Sequence, residues 1–240
     1  MIRVAVVGAA GRMGGAVCRL IEASTDMELS AAIERETHPE LGRQYGNCRL
    51  ACSLPTALET SDVVVDFALP PRLADRVGAC AGSGKPYVCG VTGLDDGANL
   101  ALGEAARRIP VVYAPNFSVG IALLYRLAAD AARALGAGYD AEIVEAHHRH
   151  KKDAPSGTAL KLSQAVREAR AGDVPIHAIR AGDITGDHTV VFAGPGERLE
   201  LTHRASSRDA FAHGVLAAVR FACEATPGLY SMSDVPAGRP

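Results

Sequence analysis

Apolar positions along the chain follow two alternating rhythms. Ile2–Val7 is a short β-branched run closed by Gly8. After it, Met13, Val17, Leu20 and Ile21 recur at the i, i+4, i+7, i+8 spacing of a helix packed on a sheet. A second run, Leu29–Ile33, stops at Glu34, which predicts a βαβ unit whose parallel strands are covered on both faces. The alternation continues through Val63–Val65, a helix over Leu73–Ala81, Tyr87–Cys89, a helix over Leu100–Arg107 and Pro110–Tyr113. Strand and helix repeated in this way predict an α/β fold with an open, doubly wound parallel sheet. Each predicted strand ends in a polar or glycine-bearing turn: Gly8, Glu34, Asp66, Gly90–Gly93 and Ala114–Phe117. Ligands of such sheets bind beyond the carboxyl ends of the strands, so these turns are expected to line one crevice.

Past Phe117 the rhythm changes. A long helix (Ile121–Leu135) leads to a strand (Glu142–Ala146), a basic loop and a helix from Gly157 to about Ala169. Three short strands follow without helices between them, near His177–Arg180, Thr189–Phe192 and Arg198–His203. That order predicts a second, smaller α+β domain built on a mixed open sheet. The alternation Arg198-Leu199-Glu200-Leu201-Thr202 fits a sheet with one face turned to water or to a partner. A last helix carries Phe211, Val215, Val219 and Ala222 and stops before Pro227-Gly228. The pattern divides the chain into residues 1–118 with 209–240, and an inserted domain over 119–208. A Pro/Gly tail, Pro236–Pro240, closes it.

Composition narrows the function. The 240 residues are 48% hydrophobic, enough for a sizeable core, and the net charge is −2. No basic excess, no Trp and only 5 Phe and 6 Tyr argue against nucleic acid as a partner. No apolar run approaches the ~20 residues of a membrane helix. The N-terminal run meets Gly8 and Arg12 too soon for a signal peptide. Cys18, Cys48, Cys52, Cys80, Cys89 and Cys223 form no CxxC pair and read as reduced thiols. A cytoplasmic protein is expected.

Two segments carry chemistry. Gly8-Ala9-Ala10-Gly11-Arg12-Met13-Gly14 lies between the first strand and the first helix. Glycines there permit a tight turn and close approach of a pyrophosphate to the helix N-terminus. The spacing is G-x-x-G-x-x-G, so its context at the head of a βαβ unit is what makes it a dinucleotide site. Glu34 can accept hydrogen bonds from ribose hydroxyls, the mark of NAD, whereas Arg35 can neutralise the 2′-phosphate of NADP. Having both leaves NADH or NADPH open, with dual use expected.

The other segment is Glu145-Ala146-His147-His148-Arg149-His150-Lys151-Lys152-Asp153-Ala154-Pro155-Ser156-Gly157-Thr158. Its histidines could suit zinc, but neighbouring cations would repel a metal, and no metal is expected. A plain basic surface loop is the alternative. Pro155-Ser156-Gly157-Thr158 opens a helix: Ser156 is placed to cap it, Gly157 opens the backbone to a ligand and Thr158 adds a hydroxyl. A helix N-terminus beside a cationic loop fits a small dicarboxylate that must also gain a proton, for which His and Lys are suited.

These residues resemble the 4-hydroxy-tetrahydrodipicolinate reductase (dihydrodipicolinate reductase) family. The resemblance rests on Val6–Gly14, Asp66-Phe67, Gly90-Val91-Thr92-Gly93, Ala114–Gly120, Gly228–Val235 and above all Glu145–Thr158. It implies a Rossmann-like domain with a smaller substrate domain. The reaction implied is reduction of a cyclic dicarboxylate by NADH or NADPH on the diaminopimelate–lysine route, in the cleft between the domains. By resemblance, His147 exchanges a proton and Lys151 donates one after hydride arrives. His148, Ser156, Gly157 and Thr158 contact the substrate. Gly8, Ala9, Ala10, Gly11, Arg12, Met13, Glu34, Arg35, Gly90, Val91, Thr92, Ala114, Pro115, Asn116 and Phe117 contact the cofactor. A homotetramer joined through the sheets of the second domains is implied as well. Ala68 and Val91 each stand where relatives often carry a hydroxyl, which bears on cofactor preference. The stretch between Arg170 and Ile179 is shorter than in many relatives, which bears on the interface. Other readings are a dehydrogenase using Cys89 covalently, for which a buried strand thiol is the simpler account, and a dinucleotide-binding protein without catalysis, which would be expected to lack His147 or Lys151.

Overall fold

β1 (Ile2–Val7) is followed by α1 (Arg12–Glu22) and β2 (Met27–Ile33), the unit the N-terminal pattern predicts. Val4, Ala5 and Val6 have no exposed surface, as expected of a central strand covered on both sides. Then come β3 (Gln44–Tyr45), β4 (Cys48–Ala51), α2 (Leu54–Thr60), β5 (Val63–Asp66), α3 (Leu73–Gly82), β6 (Tyr87–Cys89), α4 (Asp96–Ala106) and β7 (Pro110–Tyr113). The second half holds α5 (Val119–Leu135), β8 (Asp140–His147), α6 (Gly157–Ala169), β9 (Ile176–Arg180), β10 (Asp187–Gly194) and β11 (Glu197–Arg204). α7 (Asp209–Glu224) and β12 (Gly228–Tyr230) complete the order. The fold comes from a computed structural model that describes residues 1–236; the rest of the Pro/Gly tail, 237–240, lies outside the described residues.

The chain divides into two compact units, Met1–Ser118 with Phe211–Pro240, and Val119–Ala210. In the first, an eight-stranded sheet runs β12-β7-β6-β5-β1-β2-β4-β3. Every pairing is parallel except the β3–β4 hairpin at the edge. The order reverses at β1, which lies between β2 and β5, the switch point of a Rossmann-like sheet. Leu73, Val77, Leu102 and Ile109 pack against the sheet residues Val64, Tyr87 and Val111 in one apolar cluster. Each such side chain, fully buried, contributes about 1.5–3 kcal/mol.

The second unit is a four-stranded mixed sheet in the order β11-β10-β8-β9, antiparallel except for β8 with β9. α5 and α6 supply Ile121, Leu124, Ala128, Leu162 and Val166 to a cluster with Ile143, Val190 and Phe192. Along β8 burial alternates residue by residue, so Ala141, Ile143, Glu145 and His147 share the inner side.

The structure differs from the sequence pattern in four places, one of them β12, which adds a parallel edge strand beside β7 after the last predicted helix. Residues 44–60 form a small hairpin and a helix where the pattern predicts nothing. Their strands are too short for a period to show, although Ser53 caps α2 by accepting the Thr56 amide, with Pro55 behind it. α4 starts at Asp96, with Asp95 capping it through the Ala98 amide at 2.7 Å, rather than at Leu100. β8 extends to His147 instead of stopping at Ala146, so this histidine sits on a strand end.

Candidate active site

Sheet register brings the glycine turn and its companions to one level. Val7 is paired with Ile33 and with Asp66, Asp66 with Cys89, and Cys89 with Tyr113. The next residues, Gly8, Glu34, Phe67, Gly90 and Ala114, therefore start adjacent loops along one sheet end. Gly8 has φ +76°, and a Cβ on it would stand 2.7 Å from the Ala68 nitrogen. At Gly14 a Cβ would stand 2.1 Å from the Gly8 carbonyl oxygen. Both glycines are thus required by backbone packing, with the first turn of α1 drawn down against β1.

Gly11 occupies the N-cap position of α1, which has no side-chain cap. The Glu34 carboxylate folds back and accepts the Ala10 amide at 3.2 Å and the Arg35 amide at 3.3 Å. Arg12, Arg35 and Thr92 are exposed around the turn. The side chains of Ala9, Val91, Ala114 and Phe117 are buried, so these positions offer only backbone to a ligand. Asn116 folds its Oδ1 onto the Ser118 amide at 2.8 Å, holding the turn that follows Pro115. An open glycine cradle with an acidic and a basic side chain at the neighbouring strand end fits a dinucleotide.

Asp66 organises the loop beside the cradle. It is fully buried and accepts Arg76 Nε at 2.6 Å, the Ala68 amide at 2.8 Å and the Tyr87 hydroxyl. Arg76 in turn donates to the carbonyls of Pro71 and Leu69 at 2.9 and 3.0 Å. A buried carboxylate is tolerable only when paired and saturated in this way. The result is a fixed loop over 67–72, with Phe67 against Gly90 and edge-on to Phe117.

In the second unit β8 delivers Glu145 and His147 to one buried place. Glu145 Oε2 lies 2.5 Å from His147 Nδ1. Glu145 also accepts Arg180 Nη1 at 2.8 Å, Arg180 Nη2 at 2.7 Å and the Ser156 amide at 3.1 Å. Burial alone would push its carboxyl up, but Arg180, His147 and the Ser156 amide hold it below the ordinary range. His147 is pushed down by burial, which outweighs the lift from Glu145. His188, from β10, stands edge-on to the His147 ring with centroids 5.2 Å apart, and burial lowers it to about 4.

The loop after β8 is tied down at both ends. The Lys151 amide donates to the His148 carbonyl at 3.0 Å and its Nζ pairs with Asp153 at 2.9 Å. Arg180 Nη2 reaches the Asp153 carbonyl at 2.7 Å. Ser156 caps α6 by accepting the Ala159 amide at 3.2 Å, as its position predicts. Its hydroxyl is buried and also meets His188, so Ser156 holds the turn together. Over Gly157 there is open space, and the Thr158 side chain hydrogen-bonds Tyr125. His147, His148, Lys151, Gly157 and Thr158 all belong to this strand end, loop and helix start. Sequence reasoning missed Arg180, His188 and Gly186. They enter only through strand pairing, which no local pattern reveals. Glu145 was missed as well, although its i, i+2 relation to His147 at a strand end could have shown it.

Among the described residues no group of three or more His, Cys, Asp or Glu side chains has metal-holding geometry. No helix among them is long and apolar enough to cross a membrane.

Two family models match the chain. The one described as dihydrodipicolinate reductase, N-terminus, matches residues 2–117, and the one described as dihydrodipicolinate reductase, C-terminus, matches 120–235. The chain is 44% identical to a 4-hydroxy-tetrahydrodipicolinate reductase of Thiobacillus denitrificans, with 98% of each chain covered. It is 42% identical to one of Anaeromyxobacter dehalogenans, covering 98% of this chain and 97% of that protein. Among solved structures, a dipicolinate-bound dihydrodipicolinate reductase from Paenisporosarcina sp. TG-14 superposes with a TM-score of 0.82 at 27% identity. That match covers 96% of this chain and 97% of the other.

Proposed function

The chain belongs to the dihydrodipicolinate reductase family, and from that premise we propose how its own residues carry out the reaction. It is an NAD(P)H-dependent oxidoreductase that reduces 4-hydroxy-tetrahydrodipicolinate, or its dehydrated form, to tetrahydrodipicolinate in diaminopimelate and lysine biosynthesis. Residues 1–118 and 209–240 bind the dinucleotide; residues 119–208 bind the substrate and form the oligomer. The Gly8–Met13 turn, Glu34, Arg35, Gly90–Thr92 and Ala114–Phe117 would hold the cofactor, whose nicotinamide supplies a hydride when bound. Glu34 offers its carboxylate to the ribose hydroxyls, and Arg35 its guanidinium to a 2′-phosphate. Both reduced cofactors are therefore substrates.

The observation that carries the substrate assignment is the Glu145–Thr158 segment. It combines a strand-end histidine, a lysine and an opened helix start within one compact unit. The N-terminus of α6 receives a carboxylate at Gly157 and Thr158, since its amides and dipole favour an anion. His148 assists as a hydrogen-bond donor, and Ser156 contributes by fixing the turn through its buried hydroxyl rather than by touching the substrate. His147 exchanges a proton at the ring, and Lys151 Nζ delivers the proton that completes the reduction.

The outer face of the second unit's sheet supports a homotetramer. Val144, Val191 and Ile179, the last 47% exposed, lie on the side that α5 and α6 do not cover. All six cysteines are free thiols, which favours a reducing compartment such as the cytoplasm. The match to the Thiobacillus denitrificans relative runs over 261 positions against 240 residues here, so this chain lacks residues that relative carries. The direct test mixes the protein with the condensation product of pyruvate and aspartate semialdehyde and adds NADH or NADPH. Loss of the reduced nicotinamide absorbance is expected with both. Turnover with neither cofactor would overturn the assignment.

A further inference from the structure

We propose that Glu145 is a positioning residue for His147: it fixes a proton on Nδ1, Arg180 keeps it charged for that task, and Nε2 is left as the only nitrogen that exchanges protons. The proposal rests on the reading of His147 as the proton-exchanging residue and goes beyond it to what sets that ring's state.

The lone pairs of Glu145 account for the assignment. A carboxylate offers about four acceptor sites, two on each oxygen. Oε1 receives Arg180 Nη2 and the Ser156 amide, and Oε2 receives Arg180 Nη1 and faces His147 Nδ1. Three of these four partners can only donate, and the Arg180 fork spans both oxygens. A proton on Oε1 would displace one of them inside a site with no exposed carboxylate surface, and one on Oε2 could sit only in the His147 contact, directly beside the Arg180 guanidinium that pairs with both oxygens. Glu145 is therefore ionised, and the 2.5 Å contact requires the proton to sit on Nδ1. Strand pairing makes this possible. Glu145 and His147 share a face of β8, and β9 runs parallel with Arg180 in register with His147.

The other edge of the ring is kept clear. Gly186, buried just before β10, is placed so that a Cβ on it would stand 3.2 Å from His147 Nε2 and 3.5 Å from Cδ2. Any larger residue there would press on the exchanging nitrogen. The charged and titratable groups facing the ring are few. Glu145 is on its own strand, Arg180 on β9 and His188 on β10; Lys151, paired with Asp153, is on the following loop. Burial, Lys151 and Arg180 work against a second proton on the ring, and Glu145 favours one. The ring is consequently neutral near neutral pH, with Nδ1–H held by Glu145 and a bare Nε2 ready to accept. Donation in the reduction is left to Lys151.

Opposite-sign pH shifts separate this role from a merely structural one. Glu145→Gln removes the carboxylate that favours the charged ring, so the His147 limb of the kcat/KM profile should move down by about one pH unit. Arg180→Met removes a repelling cation and unmasks Glu145, so the same limb should move up. The tautomer is read separately by 15N NMR of the full-length wild-type protein labelled at histidine, with His147→Gln used to assign the signal. The expected result is the Nδ1–H tautomer for His147. An Nε2–H tautomer in the wild type, or two variants that shift the limb in the same direction or not at all, would overturn the proposal. The underlying reading fails differently: His147→Gln would then turn over at the wild-type rate, whatever the tautomer.

Discussion

The Ser156 hydroxyl lies 3.2 Å from His188 Nε2 while accepting the Ala159 amide, so one buried oxygen joins the start of α6 to β10. Whichever of the two atoms donates, the hydroxyl engages Nε2, so the doubly protonated ring must carry a proton on Nδ1 as well. That Nδ1 is buried and has no partner. A second proton on the ring would add a charge with nowhere to donate, beside His147.

The consequence is a loss of stability in acid. Burial first, then His147, lowers His188 from 6.5 to about 4 in the folded protein. Between these values the unfolded chain binds the proton and the folded chain does not. The stability is complete above about pH 6.5 and falls as pH drops toward 4, by up to about 3 kcal/mol. His188→Gln cannot titrate and should flatten this part of the profile. Urea unfolding of both proteins at pH 7 and pH 4.5 measures it; parallel losses in the two would refute the assignment to His188.

Gly14 and Gly15 make a matched pair in α1. A Cβ at 14 would stand 2.1 Å from the Gly8 carbonyl oxygen, a backbone atom held by the strand end, whereas at 15 it would lie 3.5 Å from the Ala9 oxygen. Gly14→Ala should therefore push α1 off the turn, cost about 2 kcal/mol or more, and weaken NADH and NADPH binding at least tenfold. Gly15→Ala should leave binding unchanged and gain a little from helix propensity, roughly 0.5–1 kcal/mol. Thermal unfolding with cofactor titration by nicotinamide fluorescence reads both. Equal effects at the two positions would contradict the packing account.

This contrast shows what the sequence made legible. Each predicted parallel strand ends in a polar or glycine-bearing turn, so the level row of Gly8, Glu34, Gly90 and Ala114 could be read from the sequence. The Ser156 cap could be read too, because capping is local. The hairpin at 44–51 could not, since strands this short give no period. Nor could Arg180 and His188 be placed beside His147: their contacts depend on β8 pairing with both β9 and β10, a long-range register. Buried side chains at Val91 and Phe117 mark a further limit, because a motif names residues without saying which atoms face the ligand.

Arg35 tests the cofactor assignment. It is exposed directly after Glu34, at the end of β2 where the adenosine ribose of a dinucleotide would lie. A charge-assisted contact to a 2′-phosphate contributes about 1.5–3 kcal/mol. Arg35→Ala should thus weaken NADPH binding by roughly tenfold to a hundredfold and leave NADH within about twofold. Parallel titrations with the two cofactors decide it, and equal losses would remove the 2′-phosphate contact.

Lys151 is the sharpest test of the proton-delivery role. Its Nζ is paired with Asp153 at 2.9 Å, in a loop that the His148 carbonyl and Arg180 hold in place. The pair limits where the ammonium can point. Lys151→Ala should lower kcat by about 10²–10⁴, the range for loss of a general acid, while the Kd for either reduced cofactor stays within about twofold. Asp153→Asn should cost far less, because it loosens the lysine without removing the proton. Steady-state rates together with cofactor titrations separate the two effects. A Lys151→Ala protein that loses cofactor binding in proportion to its rate would show that the lysine supports the dinucleotide site instead of protonating the product.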